Sequence, residues 1–186
     1  MDTQEKQHRL QQRLVPEIQE FRSRCQTLQL ATTDEQHDPH VSYAPFVYNE
    51  AGYFVLISLV ARHARNLQVN PQLSMMMIED ETSSKLLYAR KRLTFSATAS
   101  LVERDSPLWE RVISQLNERF GNIIENLSQM KDFKLYQLTT AQGLYVKGFG
   151  QAYQVSDDDL IDLVHLDQGH QPMKALKDFP ELSKPE

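Results

Sequence analysis

The clearest periodicity in the chain runs from Leu93 to Val102. Leu93, Phe95, Ala97, Ala99 and Leu101 alternate with Thr94, Ser96, Thr98, Ser100 and Val102. A period of two belongs to a strand with one buried face. The stretch from Glu79 to Val102 therefore predicts a central strand that opens in a basic cluster, Arg90, Lys91 and Arg92. Upstream, Leu10, Leu14, Ile18 and Phe21 recur at spacings of four, four and three. They predict one amphipathic helix over residues 2–25, bent or restarted at Pro16. Short strands follow at 27–32, 41–48 and 53–60, joined by polar turns and read as a meander. The third, Tyr53 to Val60, is almost wholly apolar, which suits a strand buried on both faces or lying under an interface.

A short helix fits before Pro71, and Ser74 to Ile78 (SMMMI) reads as the next strand, with methionines as core filler. Ser106 and Pro107 mark a helix start. Trp109, Val112, Ile113, Leu116 and Phe120 form its stripe, and a second piece continues after Gly121 through Ile123, Ile124 and Leu127. A strand at 133–138, a turn at 139–143 and a last strand at 144–155 complete the β pattern. Gly148 and Gly150 fall on one face of that last strand, which predicts coiling or a close approach of other atoms. Ser156 and Asp159 form a capping box for a helix to Leu166. Residues 171–186 read as a flexible tail. Seven short strands with peripheral helices predict a mainly β protein, a small closed or nearly closed barrel. Regular crossover helices are missing, so a doubly wound sheet is not expected. A barrel of this size often pairs through a sheet face, and the apolar strand at 53–60 offers one.

At 186 residues the chain is expected to form one domain, burying roughly 70% of its unfolded surface without a staple. A net charge of −5 argues against nucleic acid as a partner. Cys25 is the single cysteine, which excludes an internal disulfide. The N-terminus lacks an apolar signal pattern, and the longest apolar run, Tyr53 to Ala61, is too short to span a bilayer. The expectation is a cytoplasmic protein without membrane insertion.

Candidate chemistry gathers around cations. Arg62, His63 and Arg65 lie on one short helix, and Arg90, Lys91 and Arg92 open the central strand. Together they carry enough positive charge for two carboxylates or one phosphate, or else they form surface ion pairs. Asp132, taken alone, is a carboxylate at a strand entry. His165 and His170 are five apart, which is not a helical zinc pair. No catalytic triad, glycosidase pair or glycine-rich phosphate loop is evident. Two ligands suit such a pocket: flavin mononucleotide (FMN), with one phosphate, and haem, with two propionates and an iron that needs an imidazole.

The runs TLQLAT, VSYAPFV, GYFVLIS, ARHARNLQVNP, MMMIEDE, ARKRLTF, ERFG, GLYVKGFGQAYQVS and VHLDQGH cover most of residues 5–170. They resemble the haem-utilisation family of the FMN-binding split-barrel superfamily, relatives of pyridoxamine phosphate oxidase. The resemblance implies a six-stranded antiparallel split β-barrel over residues 27–155, with an N-terminal helix at 1–26. It also implies a C-terminal helix and ligand-bearing loop at 156–170. It implies a homodimer with haem in clefts between protomers. It makes His170 the axial ligand of the haem iron, and Asp132 of the other protomer the acceptor of that histidine's hydrogen bond. His63 and Arg92 would lie near the haem, with Arg65 and Arg90 in the same basic surroundings. The implied activity is oxygen-dependent opening of the haem ring to a biliverdin-like product with release of iron. Electrons would come from an external donor, and a haem-delivery or reductase protein is a possible partner. Two other functions suit the same resemblance: an FMN-dependent oxidoreductase, its phosphate gripped by Arg62, Arg65 or the 90–92 cluster, and a haem carrier that does not turn over.

Overall fold

The computed structural model describes residues 3–156 and 161–162. Helix α1 spans Thr3–Arg24 and buries Leu10, Leu14 and Ile18 against the sheet. It runs through Pro16 as one element, with no restart. Burying three such side chains contributes about 1.5–3 kcal/mol each. That exceeds the roughly 3 kcal/mol cost of one internal proline.

The strands are β1 (Thr27–Thr33), β2 (Pro39–Pro45), β3 (Val47–Asn49), β4 (Gly52–Ser58), β5 (Gln72–Ile78), β6 (Arg92–Leu101), β7 (Phe133–Gly148), β8 (Gln151–Val155) and β9 (Ile161–Asp162). The helices between them are α2 (Arg62–Val69), α3 (Pro107–Phe120) and α4 (Ile123–Gln129). All pairs are antiparallel, and the main path runs β2-β1-β5-β6-β7-β4-β3, with β8 on β7 and β9 on β8. This curled sheet with peripheral helices is the split-barrel architecture that the sequence predicts.

Six local expectations change. The central strand is shorter than 79–102: 3-10 turns at Glu81–Ser83 and Leu87–Ala89 precede it, and β6 starts only at Arg92. Its alternation fails at the far end, where Leu101 is exposed and Val102 is buried in the core under α3. The first three strands are not a meander: β1 lies between β2 and β5, while β4 pairs with β7 and β3. The break comes at Phe46, fully buried, which separates β2 from β3 and turns the chain into the core. The turn expected at 139–143 is a bulge inside one long strand, β7. Gly148 and Gly150 do not share a strand face. They flank and form the β7–β8 turn, where Gly150 has φ +66° and nothing crowds either Cα. The helix expected from Ser156 to Leu166 is contradicted at Ile161–Asp162, which pair with Val155 and Gln154 as a strand. Asp159, His165, His170 and residues 171–186 lie outside the described residues.

Two cores result. Inside the curl, α1 and α2 pack on Leu28, Leu30, Tyr53, Met75, Met77, Leu93, Phe95 and Tyr145. Outside β4 and β7, helices α3 and α4 cover Phe54, Leu56 and Leu135 with Trp109, Val112, Leu116 and Ile124. The start of α3 is capped as predicted, the Trp109 backbone N–H donating to Ser106 Oγ at 3.2 Å. Strand β4 is therefore buried on both faces by its own chain. It offers no face for pairing with another copy, contrary to that part of the sequence reading.

Candidate functional site

The register of the sheet fixes where each candidate residue lies. Ser58 ends β4 and pairs with Phe133 at the start of β7, so Asp132 sits at this junction. Its main-chain carbonyl accepts from the Leu59 N–H at 2.9 Å. Its carboxylate accepts from Ser58 Oγ at 2.6 Å. Helix α2 begins four residues after Ser58 and closes the same end of the curl. Asn66 Nδ2 donates to Thr32 Oγ1 at 3.0 Å and anchors it to β1.

His63, on α2, is half-buried, and its Nε2 has no hydrogen-bond partner among the described residues. Ser42 Oγ, on β2, is likewise buried and unpartnered. Burial pushes the His63 pKa below the ordinary 6.5, and the charge of His40 adds to this. At neutral pH His63 is an uncharged imidazole with a spare ring nitrogen. Its neighbours are engaged: Arg62 pairs with Asp34 at 2.9 Å, and Arg65 donates to the carbonyl of Val60, shaping the β4–α2 connection.

The second basic group lies elsewhere. Arg92 opens β6, opposite Ile78 of β5 and Val146 of β7. Asp132 lies beyond the other end of that strand, where Leu101 pairs with Tyr136. Ten residues of β6 separate the two ends, about 30 Å of strand. The sequence-derived site is thus split within one chain: Asp132, His63 and Arg65 at one end of the sheet, Arg90 and Arg92 at the other.

At the Arg92 end, Arg90 donates to the Glu79 carbonyl and pairs with Glu81 at 3.1 Å. Lys91 pairs with Glu17 at 3.6 Å. Arg92 donates to the Arg90 carbonyl at 3.5 Å, and no carboxylate among the described residues pairs with it. Of the six cations and imidazoles singled out by sequence, Arg92 and His63 retain the most capacity for a ligand.

Alternation places Arg92 on the same face of β6 as Thr94 and Ser96. That outer face is not covered by α1, α3 or α4. A row of directly paired residues crosses it: Tyr43, Gln29, Met76, Thr94 and Leu144. Beside it run Val41, Ala31, Ser74 and Ser96. None is charged, and Val41 and Tyr43 are 70% and 67% exposed. An uncharged sheet face with exposed large apolar side chains has the composition of an interface core. Arg92 stands at its rim.

Two residues that the sequence reading missed matter here. Ser58 holds Asp132 from 74 positions away. Glu17, on α1, accepts from Tyr145 Oη at 2.9 Å and from Lys147 Nζ at 2.5 Å, which ties the helix to β7. Neither carries a motif. Both are defined by partners distant in sequence, so local patterning gives no signal for them. No described helix is long and apolar enough to cross a membrane.

Residues 14–147 match the pyridoxamine 5'-phosphate oxidase family. A protein of Vibrio cholerae serotype O1 named haem oxygenase HutZ is 69% identical over 170 residues, covering 91% of this chain and 97% of the relative. The crystal structure of HutZ from Vibrio cholerae, described there as a haem storage protein, superposes with a TM-score of 0.69 at 67% identity. That match covers 71% of this chain and 93% of the other. The structure of Campylobacter jejuni ChuZ gives a TM-score of 0.77 at 32% identity, over 88% of this chain and 66% of that one.

Proposed function

This chain belongs to the HutZ-like haem-utilisation family of the pyridoxamine 5'-phosphate oxidase-like split barrels, and we propose that it is a haem-degrading oxygenase whose site is shared by two copies. The relative named haem oxygenase supports haem as substrate. The geometric observation that carries the shared site is the separation of Asp132 and His63 from Arg92 along β6. One chain does not assemble them. A second copy packed on the uncharged outer face, turned about a two-fold axis running across the strands, brings one copy's Asp132 end towards the other's Arg92 end.

In this reading His170 supplies the iron with a neutral imidazole. Asp132 of the other copy accepts that ring's second N–H, fixes its tautomer and raises its electron donation. Arg92 offers a guanidinium to a propionate, and His63 offers its unpartnered Nε2. Haem itself supplies the oxygen chemistry, and the protein binds, orients and tunes it. Electrons come from an external donor. The product is an opened, biliverdin-like tetrapyrrole and free iron.

A haem-storage role is the second reading, favoured by the description of the Vibrio cholerae structure. FMN is less well supported, because Arg62, Arg65 and Arg90 are already engaged within the chain. The test adds haem to the purified protein, then ascorbate in air, while absorption is followed. Loss of the haem bands with a bilin and free iron is expected; persistent bands identify a store. His170→Ala should abolish the haem spectrum, and a full spectrum in that variant overturns the assignment of the ligand.

A further inference from the structure

We propose that Ser58 is a positioning residue for the Asp132 carboxylate, an inference that rests on the role given to Asp132 above. Three groups form a directed chain at the β4–β7 junction. The Val60 N–H donates to Ser58 Oγ at 3.1 Å, and Ser58 Oγ donates to Asp132 Oδ2 at 2.6 Å. The Val60 N–H occupies a lone pair of the hydroxyl, so the Ser58 proton is directed at the carboxylate. The length is that of a charge-assisted O–H···O bond.

The main chain fixes the same junction, with Leu59 N–H donating to the Asp132 carbonyl and Phe133 N–H to that of Met130. Backbone bonds locate the Asp132 Cα but do not set the plane of its carboxylate, whose terminal torsion is broad. Ser58 sets that plane by holding Oδ2. Oδ1 makes no bond among the described residues and is left to accept from another group. If that group is the iron-ligating imidazole, Ser58 governs how well aligned the acceptor is. It thereby governs how much electron density the imidazole passes to iron. Ser58 touches neither haem nor iron in this account; it acts through Asp132.

The test compares Ser58→Ala, Ser58→Thr and Asp132→Asn in the haem-loaded protein. The readouts are the ferrous iron–imidazole stretching frequency and the haem midpoint potential. Ser58→Ala is expected to lower the frequency and make the potential more positive, in the same direction as Asp132→Asn but by less. Ring opening should slow by about tenfold, at the low end of what loss of a ligand's outer partner costs. Ser58→Thr keeps the hydroxyl and should restore both readouts. Should the alanine variant not fold, Ser58→Cys, nearly isosteric and a weak donor, is read in the same way. Wild-type readouts in Ser58→Ala beside shifted ones in Asp132→Asn would overturn the role of Ser58 and leave that of Asp132 standing. Unshifted readouts in Asp132→Asn would overturn both.

Discussion

Glu17 holds more of the molecule together than its polar, helical surroundings suggest. It binds Tyr145 and Lys147 of β7 and lies near Lys91 at the head of β6. Burial alone would raise its pKa, but the hydrogen bonds from Lys147 and Tyr145 and the two lysine charges outweigh burial and lower it. A carboxylate whose folded pKa is depressed stabilises the fold fully above its unfolded value. It loses that contribution as pH falls through the folded value. The contribution should thus be intact above about pH 4.5, the ordinary value, and fade below it. Glu17→Ala strands the buried Tyr145 hydroxyl and should cost about 2 kcal/mol at pH 7. Thermal melts of both proteins at pH 7 and pH 3 check this, with a gap that narrows in acid. Gly143 is a second such residue, for steric reasons. A Cβ there would lie 2.4 Å from two ring carbons of Phe95 and 2.8 Å from the Thr94 carbonyl oxygen. Phe95 is buried, so its ring has little room to give way. Gly143→Ala should destabilise by about 1–3 kcal/mol, read from the midpoint of urea unfolding; an unchanged midpoint would show that the ring moves aside.

Among elements, β7 shows how far periodicity carries. Before the bulge the even positions Tyr136 and Leu138 face the inner core; after it the odd positions Gly143 and Tyr145 do. One extra residue reverses the alternation. A pattern that changes phase at residues 140–143, which read Thr, Ala, Gln and Gly, resembles two strands and a turn. The same logic explains what was legible. Helices α1 and α3, with stripes and a cap, declared themselves, as did β6 from Leu93 to Ala99, where the alternation holds; at Leu101 and Val102 it reverses, because Val102 turns in under α3. Strand order did not, because β1–β5 and β4–β7 pairing depends on contacts across tens of residues. Met76 shows the limit within one strand: Met75 and Met77 are core filler as read, yet the alternation puts Met76 on the outer face. The candidate site was legible as residue types and as a family resemblance. Its division between two ends of the sheet needed the register.

At the scale of the whole molecule, the outer face and the divided site make one joint prediction. The β2-β1-β5-β6 face is uncharged at its centre, with Arg92 at its rim. If a second copy covers it, a charge placed there must be desolvated in both protomers at once, since a two-fold interface presents every change twice. Ser96 is exposed and lies within the face, opposite Ser74. Ser96→Glu should therefore leave the fold of each chain intact by circular dichroism while converting dimers to monomers in sedimentation. Haem affinity should fall at least about tenfold in parallel, because each site would lose the residues contributed by the other copy. Ile123, exposed on α4 over β4 and β7 and outside the row of paired residues that forms this face, provides the control: Ile123→Glu should change neither mass nor affinity. A monomeric Ser96→Glu that binds haem as wild type does would place the whole site within one chain, against the roughly 30 Å that β6 sets between its ends.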